Sequence, residues 1–231
     1  MRTLDYKRNE KYFKPLKLKL PIILIIIGLI LFFISPVVGV VVLIVGALIL
    51  ALQFIGRPSD DEFDKIAHST VGDIKSEALS KLGVDEDEVK LIEPITFEGY
   101  DFHNISSQSW YKLGKDGNYR SSNYEGCIFL FSENQVYFYS KRVSLIKKES
   151  KINTDEYFYN DLVSAATTSE VATFKNNKGK DESYTYEHFV LTSTGGTKTP
   201  ASIQTNDPST EESIKGMKQL IRQKKMEAQN R

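Results

Sequence analysis

The sequence predicts an α+β chain: an N-terminal apolar helical hairpin, a connector helix, then an antiparallel β domain closed by a C-terminal amphipathic helix. Three observations carry this reading. Residues 21–56 hold no charged side chain. From Val89 to about Gln204, β-branched and aromatic residues recur with a period of two. Beyond Pro208 the apolar residues Ile214, Met217, Leu220 and Ile221 return to helical spacing.

The apolar run PIILIIIGLILFFISPVVGVVVLIVGALILALQFIG is 36 residues long. As one helix it would extend roughly 54 Å, against a hydrocarbon core of about 30 Å. Tilting by about 40° still leaves a projection of about 41 Å, so a single straight span is too long. Divided at Ser35-Pro36 it gives Leu18–Ile34 and Val37–Ile55, 17 and 19 residues, each near the lower limit for a span. Pro36 removes a backbone donor and biases Ser35 away from helix, and Gly39 tolerates a tight reversal. Ser35, Pro36 and Gly39 are therefore read as the membrane turn of a two-span hairpin. A signal peptide is the poorer reading, because the run far exceeds an h-region and lacks a small-x-small cleavage site.

Charge orients the hairpin. Residues 1–56 carry seven basic groups against Asp5 and Glu10, leaving 23 basic and 28 acidic groups in residues 57–231. Basic residues crowd the first span, so the N-terminus is placed in the cytoplasm, with Tyr12 and Phe13 at the membrane interface. Two spans then return Arg57 and all that follows to the same side. The expected localisation is the cell membrane, multi-pass, with both termini cytoplasmic. Cys127 is the sole cysteine, which excludes an intramolecular disulfide and suits a reducing compartment. The mildly acidic domain after residue 56 is a poor generic binder of nucleic acid. One cysteine and the scattered His68, His103 and His188 offer no zinc-ligand spacing.

Five segments follow from this reading: a basic arm at 1–17, the hairpin at 18–56, a connector helix at 57–84, the β domain with its helix at 85–228, and a frayed tail at 229–231. Ser59 reads as the N-cap of a helix over about 60–82, with Asp60, Asp61, Glu62 and Asp64 at its dipole-positive start and Gly83 just past its end. Strands are expected in VKLIEPITFEGYDF, SWYKL, GCIFLFS, QVYFYSKRVSLI, KINTDEYFYNDLVSAATTSEVATF and SYTYEHFVLTST. Alternation puts Cys127, Phe129 and Phe131 on one face, and Val136 and Phe138 opposite Tyr137 and Tyr139. Ser132–Gln135 reverses the chain, with further turn signals at Gly114–Gly117, Asn176–Gly179 and Gly195-Gly196. Asn206-Asp207-Pro208 caps the last helix, Ser209 and Glu212 have capping-box spacing, and fraying begins near Met226.

About seven antiparallel strands followed by one amphipathic helix resemble a pleckstrin-homology-like fold of the bacterial PH/GRAM-like kind. The resemblance lies in GKDGNYRSSNYEGCIFLFSENQVYFYSKRVSLI, in TDEYFYNDLVSAATT and in the closing helix. These stretches are similar to a group of uncharacterised bacterial membrane proteins that join a two-span hairpin to such a domain. The likeness covers about residues 20–228. It implies a β-barrel or sandwich with the helix at one corner, and loops that bind lipid headgroups or peptides. It fixes no active site.

Candidate contacts follow from that implication. Lys112, Lys115 and Arg120 flank an early glycine turn, and Lys141 and Arg142 open a second basic region that continues through Lys147, Lys148 and Lys151. A headgroup or partner would meet the first five; the plainer alternative is a solvated face diluted by Asp116, Glu125 and Glu149. Tyr137, Tyr139, Tyr157, Tyr159, Tyr184 and Tyr186, all assigned to strands, form either an aromatic binding surface or cross-strand packing. Asp85–Glu88 lacks EF-hand spacing, Gly195–Thr199 lacks that of a phosphate loop, and Asn104-Ile105-Ser106 is a sequon that a cytoplasmic domain would never expose to glycosylation. No GxSxG, SxxK or Cys–His signature is present, and Cys127 reads as a small core residue.

The expected function is a non-enzymatic, membrane-anchored binding or adaptor protein without a cofactor. Its cytoplasmic domain would recognise a protein segment, a second copy of itself or anionic lipid. Two alternatives stand beside it: an accessory subunit of a membrane transport or secretion complex, and a single-span anchor carrying an extracellular β domain.

Overall fold

The computed structural model describes residues 4–104, 108–203 and 208–229. The chain divides into two compact units, residues 1–63 and 64–231.

In the first unit, α1 (Tyr6–Phe13) is capped by Asp5, whose carboxylate accepts from the Arg8 amide at 3.0 Å. The sequence had placed Tyr12 and Phe13 at a membrane interface. Both are buried against Phe63, with the Tyr12 and Phe63 rings stacked at 4.1 Å. The Tyr12 hydroxyl donates to Asp60 at 2.7 Å, and Arg8 pairs with Glu62, so these acids serve as partners in packing as well as dipole neighbours. Ser59 does cap the next helix, its Oγ accepting from the Glu62 amide at 3.2 Å.

Next come α2 (Lys19–Ile34) and α3 (Pro36–Phe54), broken at Ser35, with Pro36 at the first position of α3. They run antiparallel in close contact. A Cβ on Gly28 would lie 2.8 Å from the Leu43 amide, one on Gly39 2.4 Å from the Phe32 backbone, and one on Gly46 3.1 Å from the Ile25 amide. At residues 28 and 39 only glycine permits the helices to approach this closely, while at 46 the neighbours would have to give by a few tenths of an ångström. The outward faces are apolar, with Phe33 88% exposed. Among the described residues, α3 is one helix long and apolar enough to cross a membrane, and α2 is a shorter apolar helix of 16 residues.

The single helix expected over 60–82 is two: α4 (Asp60–Val71) and α5 (Ile74–Leu82). Gly72 interrupts it at φ +64°, and Asp73 recaps the chain by accepting from the Ser76 amide. Gly83, also left-handed, ends α5 as anticipated. The acidic stretch after it forms a short 3-10 turn, with Glu86 paired to Lys75 and Asp87 to Lys90.

Among the described residues nine antiparallel strands follow, where about seven were expected: β1 (Ile95–Tyr100), β2 (Tyr111–Leu113), β3 (Tyr119–Ser121), β4 (Asn123–Phe131), β5 (Gln135–Ser144), β6 (Ser150–Phe158), β7 (Leu162–Lys175), β8 (Asp181–Ser193) and β9 (Lys198–Ser202). They form sheets ordered β1-β4-β5-β6, β2-β3 and β7-β8-β9, with no closed barrel among the described residues. The long strand expected over 151–174 is broken by a 3-10 turn at Tyr159–Asp161, so Tyr159 is not on a strand. The β4–β5 reversal is as anticipated, with Ser132 Oγ accepting from the amides of Asn134 and Gln135.

One core joins the two larger sheets and the last helix. Phe97, Cys127, Phe129, Phe131, Val136 and Phe138 meet Phe189, Leu191 and Ala201, and α6 (Pro208–Gln229) adds Ile214, Met217 and Ile221. The helical stripe is thus seated as its spacing predicted, while α6 continues past Met226 instead of fraying there. Residues Asn206, Asp207, Ile105 and Ser106, and the Ser209 side chain, lie outside what is described. Alternation implied that one face of β4 is buried, yet Ile128 and Leu130 on the other face are also fully buried. Packing of α5 against β4 and β5 accounts for this. Gly126 allows the approach, since a Cβ there would lie 2.4 Å from Val71 and 3.2 Å from Ile74.

Candidate functional site

A cleft of about 510 Å³ opens in the second unit, within the usual range for ligand sites. It forms where α4, the ends of β1 and β4, the β2–β3 turn and β8 converge. Period-two alternation in β8 places Tyr184, Tyr186 and His188 on one face, and strand register sets Tyr100 opposite Tyr124, their rings 5.2 Å apart. Behind them Phe102, Tyr111, Tyr119 and Phe174 pack as a second aromatic cluster, with Tyr111 stacked on Phe174 at 4.0 Å.

Charged groups line the same cleft. Arg120 is almost fully buried, its side chain 5% exposed. Its guanidinium forks onto both oxygens of Asp64 at 2.7 Å and both oxygens of Asp116 at 2.9 and 3.0 Å. That contact holds the Asp116 carboxyl well below the usual carboxylate range. The Tyr100 hydroxyl donates to Asp64 at 2.6 Å, and the Tyr186 hydroxyl donates to Glu170 at 3.0 Å. Glu98 pairs with His68 one helical turn from Asp64. Burial, followed by the neighbouring Glu98, pushes the Tyr124 phenol up.

Adjoining the cleft is a buried polar cluster that sequence spacing gave no reason to assemble. Asp101 is fully buried; it accepts from the Asn104 amide at 3.0 Å and from Arg142 at 3.0 Å. Glu125 accepts from the Ser202 hydroxyl at 2.8 Å and lies 3.5 Å from His103 Nε2. His103 and His188, 85 positions apart in sequence, bring their rings to 5.8 Å, and Tyr186 stacks on His188 at 5.5 Å. Burial raises the Glu125 carboxyl, opposed by His103 and reinforced by Asp101, and lowers the His188 imidazole. Among the described residues, no group of three or more His, Cys, Asp or Glu is placed to hold a metal ion.

The five basic residues singled out from sequence do not form one patch. Arg120 belongs to the cleft, and Lys112 sits across the β2–β3 ladder from it, half-buried. Lys115 is exposed in the intervening turn. On β5, Lys141 pairs with Glu77 of α5, while Arg142 reaches Asp101. Arg142 also borders a smaller polar pocket of about 300 Å³ with Lys147, Lys151 and Glu149. The tyrosines separate likewise: Tyr157 and Tyr159 enter the main core, Tyr137 and Tyr139 are buried on the other face of the sheet, and Tyr184 and Tyr186 border the cleft.

Comparison of the chain with models of protein families, with curated proteins and with solved structures finds no match.

Proposed function

We propose that this chain is a membrane-anchored, non-enzymatic binding module whose PH-like β domain engages a protein segment in the tyrosine-lined cleft. The observation that carries this reading is the cleft itself, aromatic-walled and supported on strands of a well-packed sandwich. The order of the domain supports the PH-like assignment: a four-stranded sheet, a three-stranded sheet and a closing helix share one core. Anchoring is supported by the exposed apolar faces of α2 and α3, which water would solvate at great cost. Their antiparallel, glycine-lined contact favours a two-span hairpin with both termini in the cytoplasm, as does the basic character of the segment before α2.

Two specific observations favour other readings. The pocket bordered by Arg142, Lys147 and Lys151 suits an anionic lipid headgroup. The 16 residues of α2 extend only about 24 Å, which favours a single span through α3 and a domain on the opposite side.

Topology is tested first. Lys178, exposed in the β7–β8 turn, is replaced by cysteine in a Cys127→Ser background and intact cells are treated with a membrane-impermeant maleimide. Labelling only after lysis is expected. Labelling of intact cells would replace the hairpin with the single span.

A further inference from the structure

Resting on the reading of the cleft as the binding site, we infer that its occupant is a basic protein segment, one arginine or lysine side chain of which enters between the tyrosines. The cleft already displays the chemistry: Arg120 lies in its wall, held by Asp64 and Asp116. That pairing leaves the wall negative. Asp64, Glu98 and Asp116 line it against Lys65 and Arg120, with His68 paired to Glu98, whereas Glu187 turns to the opposite face of β8, where its carboxylate accepts from Ser169. Tyr100 and Tyr184 are only partly buried, which leaves part of each aromatic side chain open to a cation. A planar guanidinium satisfies both features at once, stacking on a ring while its fork meets a carboxylate. An acidic segment would face the same carboxylates with repulsion, and a wholly apolar one would strip water from them without compensation.

The test uses the full chain in non-ionic detergent and fluorescence anisotropy of a dye-labelled Gly-Ser decapeptide bearing two arginines. Counterparts carry citrulline or glutamate at the same two positions. The arginine peptide is expected to bind at least about tenfold more tightly than the citrulline peptide at low salt, and to weaken as salt is raised. Glu98→Gln, which leaves the Arg120 ion pairs in place, is expected to weaken it about fivefold further.

Equal affinity for the citrulline peptide would overturn the charge inference while sparing the cleft as a binding site. Preference for the glutamate peptide, abolished by Lys147→Ala with Lys151→Ala, would overturn it in favour of the anion pocket. Unchanged arginine-peptide binding in the Glu98→Gln variant would also overturn it, by placing the peptide elsewhere. If no peptide binds at millimolar concentration to chain whose near-ultraviolet circular dichroism is native, both the inference and the binding-module reading fail.

Discussion

Replacing Arg120 with methionine separates a structural role for this residue from a headgroup-binding one. The side chain is 5% exposed and donates four short hydrogen bonds, two to each of Asp64 and Asp116. Removing one member of a fully buried ion pair costs about 3–5 kcal/mol, whereas exposed pairs contribute about 0–1 kcal/mol. Asp64 and Asp116 are 42% and 43% exposed, so water rehydrates them once the guanidinium is gone. The loss expected for Arg120→Met is therefore intermediate, about 2 kcal/mol. Methionine retains the apolar stem and limits the packing loss. Denaturant unfolding followed through Trp110, the only tryptophan, measures it.

The pH dependence has a definite sign. Asp116 has its folded pKa depressed, so its contribution is present above its ordinary value of 3.8 and is lost as pH falls below it. The gap between wild type and variant should be widest near neutrality and should close as pH drops below about 4. A gap below about 0.5 kcal/mol at pH 7, or one that stays constant down to pH 2.5, would refute the reasoning. Loss of binding to anionic vesicles without loss of stability would instead make Arg120 a headgroup contact.

Three further outcomes are expected. In Glu125→Gln the amide oxygen still accepts from Ser202, but the carboxyl whose folded pKa burial raises is gone; the melting temperature of the variant relative to wild type should therefore rise as pH increases from 4 to 8, and a fall would contradict the burial argument. A cysteine pair at Leu24 and Gly46, where a Cβ on residue 46 would lie 3.2 Å from that of Leu24, should cross-link on oxidation in a Cys127→Ser background, and adding Gly39→Val should suppress the cross-link by forcing α2 and α3 apart; undiminished cross-linking would rule out the close glycine contact. Cys127, fully buried and with its thiol pKa raised by desolvation, should resist thiol reagents at pH 8 until denaturant opens the sandwich, and stoichiometric modification of the native chain within minutes would show the core to be open.

Much of the architecture was legible in the sequence because it is dictated locally. An uncharged run with Ser-Pro at its middle breaks into α2 and α3, since proline ends one set of hydrogen bonds and starts another. Alternation in β4 and β5, with Ser132 at the reversal, fixes a hairpin whatever surrounds it. The stripe of Ile214, Met217 and Ile221 has one apolar face to bury, and α6 buries it. By contrast, Gly72 and Asp73 divided a pattern that periodicity alone joined, because a left-handed glycine and a new cap outweigh a continuous apolar stripe.

The site was not legible, for a physical reason. Arg120 meets Asp64 across 56 positions, Ser202 meets Glu125 across 77, and His103 meets His188 across 85. No local rule encodes such pairs; the stacking of two sheets and the seating of α4 and α5 on them decide which distant side chains share a wall. Burial also changes a residue's role after the chain folds. Arg120 reads as a surface base beside a glycine turn, and becomes a buried tie between a helix and a strand only when tertiary packing excludes water around it. The sequence by itself determined the break between α2 and α3, the β4–β5 hairpin and the apolar stripe of α6. The tertiary structure decided which charges remain available to a partner and which are consumed in holding the domain together.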